Sequence, residues 1–270
     1  MTEIQTSAPV ASDVPAPPVP VVAMSGVTRV FGDVRALDGL DLVVPEQSIT
    51  VLLGPNGAGK TTTARVITGA LDPHAGTVRV FGADPAVDGE EIRRRCGVVS
   101  AKPALYDRLT GWDNLVYAAE LYGIGRRSTD RIRECAARFG IEHALDQMVG
   151  GYSTGMKTRL ALSRSVLHDP DLLLFDEPTS GLDPESSHAV LEMIRQMTLD
   201  GSTVVMCTHL LLEAEGLAEQ VVVLDGGRDL IAGSPDELTR RYWPNLVVRI
   251  DASEPAALDA LADHPSVVRY

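Results

Sequence analysis

The sequence predicts an α/β fold with a mainly parallel sheet, on three observations: unbroken apolar runs of strand length, helical repeats between them, and a Gly-rich turn after one run. The runs Leu172 to Phe175, Val204 to Cys207 and Val221 to Leu224 do not alternate with polar residues. That pattern suits strands covered on both faces by helices. Between the first two, Val190, Leu191, Ile194 and Met197 repeat at helical spacing. They follow Asp183-Pro184, an N-cap with proline at the first helical position. Strand, helix, strand in that order predicts α/β layering.

Taken from the start, residues 1–20 contain no Lys or Arg and carry Pro9, Pro15, Pro17, Pro18 and Pro20. This composition predicts a disordered Pro/Ala/Val-rich tail, without the basic start and apolar core of a secretory signal. Val21 to Met24, Leu42 to Val44 and Val51 to Leu53 read as strands. After the Gly-rich turn comes a helical segment ending near Gly69. Trp112 to Tyr122 and Thr129 to Phe139 read as helices closed by Gly123 and Gly140, with no strand between them. They predict a helical insertion over about 104–168. From Trp243 a new unit begins, with a strand at Leu246 to Ile250, a short helix at Pro255 to Ala262 and a strand at Val267 to Tyr270. The organisation expected is a tail over 1–20, a main domain over 21–240 and a small α+β extension over 241–270.

Composition limits the function. The 270 residues carry a formal net charge of −13, which argues against a nucleic-acid-coating surface. A nucleotide pocket is still permitted, because backbone amides and one Lys make a local anion site. The longest apolar run, Leu115 to Ala119, is far short of the ~20 residues that span a bilayer. Cys96, Cys135 and Cys207 are widely spaced, with neither a disulfide framework nor a metal-ligand spacing.

Three segments carry chemistry. Gly54-Pro55-Asn56-Gly57-Ala58-Gly59-Lys60-Thr61-Thr62 follows a strand and opens a helix, as the phosphate-binding pattern G-x-x-x-x-G-K-[ST] requires. On residue frequencies, chance gives on the order of 0.01 such matches in this length. Glycines let backbone N–H groups turn inward, Lys60 reaches the β- and γ-phosphates, and Thr61 is placed to bind Mg²⁺. Leu172 to Phe175 ends in Asp176-Glu177, 116 residues after Lys60. Asp176 is placed to hold Mg²⁺, and Glu177 to polarise an attacking water. Between them, Tyr152-Ser153-Thr154-Gly155-Met156 opens a helix expected to run through Leu167. Its start is read either as a plain N-cap or as an anion-binding terminus.

With Ser180-Gly181-Leu182-Asp183-Pro184 and Thr208-His209, this ordered set resembles the ATP-binding subunit of ABC transporters, over about Val22 to Leu238. The Tyr-Ser-x-Gly-Met form is most similar to ATPases of the drug, antibiotic and sodium efflux group. The resemblance implies a P-loop ATPase core with an N-terminal antiparallel β subdomain and bound ATP and Mg²⁺. It also implies a second ATPase subunit and a separate transmembrane permease at the cytoplasmic face of the membrane. Ser153, Thr154 and Gly155 would then meet the γ-phosphate held by the other subunit, with Asp183 at the dimer seam. His209 would contact the γ-phosphate and the water, and Phe31 would stack on adenine.

The chain departs from the family pattern in the segment Gly97 to Tyr106, where the usual Gln is replaced by Ala101. Alanine offers no side-chain donor or acceptor, and the neighbouring Lys102 cannot ligate a cation. Thr154 for Gly and Met156 for Gln are milder changes. Two other functions compete with an exporter subunit. A non-transporting ABC ATPase of translation or chromosomes would need two cassettes or a long coiled coil, and the chain has one P-loop and no room for a coil. A degenerate cassette that only binds ATP is opposed by Lys60, Asp176, Glu177 and His209.

Overall fold

The computed structural model describes residues 20–125 and 128–242, and its contacts divide the chain into two compact units after Pro235. The expected tail, apart from Pro20, and the expected elements from Trp243 onward lie outside the described residues.

Three strands form an antiparallel sheet in the order β2-β1-β4: β1 (Val22–Phe31), β2 (Val34–Val44) and β4 (Ala75–Val80). The hairpin β1-β2 turns at Gly32, whose φ of 56° a side chain would disfavour. The strands expected at Val21 to Met24 and Leu42 to Val44 are thus parts of longer ones. Below their apolar ends, alternation of exposed and half-buried residues carries the pairing, which an unbroken-run criterion overlooks.

Six strands form the main sheet in the order β5-β6-β7-β3-β8-β9. Five of them run parallel: β5 (Cys96–Val99), β6 (Leu172–Asp176), β7 (Thr203–Thr208), β3 (Ile49–Leu53) and β8 (Gln220–Asp225). β9 (Arg228–Gly233) is antiparallel at the edge. Every residue of β7 is buried, as are Leu172 to Phe175 of β6, so both faces of the sheet centre are covered. Helix α1 (Lys60–Ile67) packs on β6 and β4, while α6 (Pro184–Leu199) and α7 (Leu211–Leu217) pack on β7. One apolar core joins the two sheets, with Val22, Leu42 and Val80 meeting Leu52, Val66, Leu174 and Val205.

The segment Gly97 to Tyr106, given no strand in the sequence analysis, begins inside β5, Cys96–Val99. These residues pair in register with Leu172–Phe175, and the loop starts only at Ser100. The apolar content of so short a strand is diluted by Gly97, whose lack of a side chain admits the Ser165 carbonyl. After α2 (Gly89–Arg94) and β5, the chain enters a helical region with α3 (Gly111–Leu121), α4 (Ser128–Arg138) and α5 (Thr154–Ser165). Thr110 and Asp113 close a capping box at the start of α3, and Gly123 and Gly140 follow α3 and α4 with positive φ. Helix α5 stops two residues short of Leu167. In the second unit, α8 (Pro235–Tyr242) has acidic residues in its first turn and basic ones in its last, a favourable order for the helix dipole.

Candidate functional site

The C-terminal ends of three adjacent parallel strands, β3, β7 and β6, point to one side of the main sheet. Open α/β sheets bind ligands at such carboxyl ends. From β3 the chain turns through Gly54 to Gly59 into α1; from β6 it emerges at Asp176-Glu177; from β7 it emerges at His209. Backbone bonds lock the exits together. Gly54 N–H donates to the Thr208 carbonyl (3.2 Å) and Glu177 N–H to the Cys207 carbonyl (2.9 Å).

Gly59 caps α1 in a left-handed conformation at φ 108°, and a Cβ there would lie 2.7 Å from the Ala36 carbonyl oxygen. Only glycine fits, and the loop is thereby held against β2. The Lys60 side chain is 5% exposed and folds back under the loop. Its Nζ donates to the carbonyls of Gly54 (2.6 Å) and Pro55 (3.2 Å) and lies 3.4 Å from Glu177 Oε1. That last distance is an ion pair rather than a directed hydrogen bond, and Glu177 Oε1 is buried with no hydrogen-bond donor. Thr61 Oγ1 donates to Asp176 Oδ2 at 2.7 Å. His209 Nδ1 sits 2.7 Å from Glu177 Oε2. An ionised Glu177 can only accept, so His209 donates through Nδ1. Glu177 itself has φ 52°, a left-handed conformation that costs a non-glycine residue on the order of 1 kcal/mol. Surroundings must hold it there.

A cleft of about 390 Å³ opens over this arrangement, lined by Phe31, Pro55 to Thr62, Asp176 and Glu177 among others. Gly54 contributes its carbonyl to Lys60 from below. Ala101 lines the cleft too, and the Ser100 hydroxyl is turned aside to the Lys102 carbonyl at 2.9 Å. The remaining expected residues lie elsewhere. Ser153 Oγ accepts from Met156 N–H (3.2 Å) as the N-cap of α5, and Asp183 accepts from Ser186 N–H (2.9 Å) and the Ser186 hydroxyl (2.7 Å) as the N-cap of α6. Those bonds hold the Asp183 carboxyl below the usual carboxylate range. Thr154 and Gly155 neighbour Gly181 and Ser186, so the starts of α5 and α6 form one exposed pair of helix termini outside the cleft.

The donor set suits a nucleotide with a divalent cation. A buried ammonium with spare donor capacity at the start of a helix and an orphaned carboxylate oxygen fit phosphates and their water. The Thr61–Asp176 oxygens are hard ligands, and Mg²⁺ sites take one or two protein oxygens plus substrate phosphates. The thiols are no rivals as nucleophiles. Burial pushes Cys96 up to about 12 and Cys135 to about 11, and raises Cys207 furthest.

Sequence reasoning missed two contributors. Arg29 stacks its guanidinium 4.9 Å from the centre of the Phe31 ring, and no motif marks it. Glu213, buried on α7, bonds Thr179 and Thr208 directly behind the carboxylates. A glutamate on the apolar face of a short helix, four residues before the buried Leu217, was the available signal.

The family model described as ABC transporter matches residues 37–180. The daunorubicin/doxorubicin resistance ATP-binding protein DrrA of Streptomyces peucetius is 39% identical over 85% of this chain and 70% of its own length. The ABC transporter ATP-binding protein NatA of Bacillus subtilis (strain 168) is 35% identical over 81% of this chain and 91% of its own. A Nod factor export ATP-binding protein I from Rhizobium sp. (strain N33) is 36% identical over 89% and 79%. Among solved structures, an ATP-binding subunit of an ABC transporter superposes with a TM-score of 0.74 at 30% identity, covering 82% of this chain and 93% of that one. A bacterial Atm1-family ABC exporter with ATP bound gives 0.73 at 28% identity, over 86% of this chain and 42% of that one.

Proposed function

The chain belongs to the ABC transporter family, as an ATPase subunit that powers export, and from that premise we propose that it is the Mg²⁺-dependent engine of a drug, antibiotic or similar small-molecule exporter. It works as a homodimer at the cytoplasmic face of the membrane, against a separate transmembrane permease. Its ATPase domain spans 21–240, with the helical insertion over about 104–168 and an extension over 241–270. The relatives' printed names speak of resistance and export, which favours this reading over a non-transporting ATPase. No described helix is long and apolar enough to cross a membrane.

The observation that carries the reading is the set Lys60, Thr61, Asp176 and Glu177 lining one cleft, with His209 bonded to Glu177 from outside its lining. The backbone amides of 54–62 and Lys60 hold the phosphates, and Phe31 takes the adenine ring. Thr61 and Asp176 would hold Mg²⁺, which when bound would supply neutralisation of the charge on the transferred phosphoryl group. As phosphates attract Lys60, the Glu177 oxygen it shares is released to accept a water proton. His209 keeps the other carboxylate oxygen in place and presents its ring to the γ-phosphate. Ser153, Thr154 and Gly155 face the nucleotide of the second subunit, and Asp183 lies at the seam.

Glu177→Gln tests this. The amide cannot take up the proton, so turnover falls about 10²- to 10⁴-fold while ATP binding remains. Light scattering then shows a dimer at saturating ATP-Mg²⁺, and EDTA returns it to monomer. A monomer under those conditions, or full turnover in the variant, overturns the proposal.

A further inference from the structure

Glu213 is 7% exposed, and among the described residues no Lys, Arg or His pairs with it. Its two oxygens are taken instead by two buried hydroxyls. Thr208 Oγ1 donates to Oε2 at 2.6 Å, and Thr179 Oγ1 donates to Oε1. Thr208 also accepts from Leu210 N–H (3.1 Å), so its hydroxyl is used in both directions. A buried carboxylate without a counter-ion is an expensive way to fasten a helix that an apolar side chain would pack as well. Its location supplies a reason. Thr179 lies two residues beyond Glu177, in the turn whose Ser180 N–H donates back to the Glu177 carbonyl at 3.1 Å. Thr208 directly precedes His209 at the end of β7. One carboxylate therefore ties together the two chain segments whose side chains meet at 2.7 Å between Glu177 Oε2 and His209 Nδ1. The left-handed backbone at Glu177 is one that needs such external restraint.

We infer that Glu213 is a positioning residue for ATP hydrolysis: through Thr179 and Thr208 it holds Glu177 and His209 in register, without touching the nucleotide. The inference rests on the function proposed above. It separates two properties that a general packing role would move together. Nucleotide affinity depends on the loop 54–62 and Lys60, which Glu213 does not contact, whereas turnover depends on the carboxylate–imidazole pair.

The test uses the full chain, with wild-type turnover measured first. An inactive wild type would sink the functional reading and leave the role of Glu213 to be judged by the Glu177–His209 geometry in a structure of the variant. With an active wild type, Glu213→Ala lowers kcat at least about tenfold, since a misplacement near 1 Å costs up to ~10²-fold. Its ATP Kd, by calorimetry, shifts less than about threefold. Glu213→Gln, whose amide oxygen can still accept one hydroxyl, recovers part of the rate. If Glu213→Ala does not fold, Thr208→Val takes its place and shows the same split. In a His209→Ala background the pair is already broken, so adding Glu213→Ala costs little further in single-turnover rate. Equal losses in affinity and rate, or a full multiplicative loss in that background, overturn the inference.

Discussion

Lys60, Thr61, Asp176, Glu177 and His209 bond to one another or to nearby backbone, whereas Ser153 and Asp183 bond only to the first turns of their own helices. The first group is carried by the sheet, with the Lys60 and Glu177 side chains 5% and 14% exposed at its centre and Thr61 and His209 exposed at its edge. The second sits on two exposed helix starts that neighbour each other outside the cleft. Their difference teaches that the cleft group is preassembled in one chain, while Ser153 and Asp183, which the proposed function assigns to the nucleotide of a second subunit, act within this chain only as helix caps. An isolated subunit should therefore bind nucleotide well and hydrolyse it poorly. Closure by a second copy would join a rigid half to a rigid half, at low cost in ordering.

Removing Lys60 breaks the preassembled half and has the largest effect. Lys60→Ala deletes the one ammonium under the loop and its charged hydrogen bonds to phosphate. At ~1.5–3 kcal/mol for each such bond, two of them weaken ATP binding about a hundredfold or more. Calorimetry on the variant reads this directly. The change also leaves Glu177 without its cationic neighbour, so the loss is not confined to the phosphates. Unchanged affinity would show that the cleft is not a phosphate site.

Much of this half was legible in the sequence because its residues are close together and their chemistry is rigid. Gly59, Lys60 and Thr61 are consecutive, and a loop that must turn amides inward admits few alternatives. The buried strands β6, β7 and β8 were legible from unbroken apolar runs. Strands β4, β5 and β9 were not: β4 and β9 alternate on half-exposed edges, and β5 has four residues, one of them glycine. Glu213 was hidden for a different reason. Thr208 lies five residues before it, but Thr179 is brought to it only by the pairing of β6 with β7, which no local pattern encodes.

Ser153→Ala breaks the exposed half. Within one subunit it removes only an N-cap, costing ~1 kcal/mol and about 2–4 °C in Tm for a domain of this size. ATP affinity of the monomer should stay unchanged, because Ser153 is absent from its own cleft. Turnover should fall about tenfold, the value of one hydrogen bond to a charged phosphate made across the dimer. A paired drop in monomer affinity would mean that both halves serve the same nucleotide, and the contrast between them would be lost.

The smallest effect concerns Ala101, which lines the preassembled half yet brings it no polar atom. Ala101→Gln adds one side-chain amide at the rim, where charge on Mg²⁺ and the attacking water would lie. A full hydrogen bond to a charged group caps the gain near a hundredfold, but the exposed loop must order a long side chain that now samples several rotamers. A gain of a few-fold in kcat is expected. The competing possibility is that Ser100 already fills the place. Its proton is committed to the Lys102 carbonyl, though its oxygen keeps a lone pair. If that lone pair serves, Ser100→Ala costs rate and Ala101→Gln adds none; if it does not, Ser100→Ala only loosens the turn and leaves kcat near wild type. Steady-state rates of both variants at saturating ATP-Mg²⁺ separate the cases. A null effect in both would place the loop after β5 outside the chemistry and leave Glu177 with His209 as the whole of the hydrolytic apparatus in this subunit.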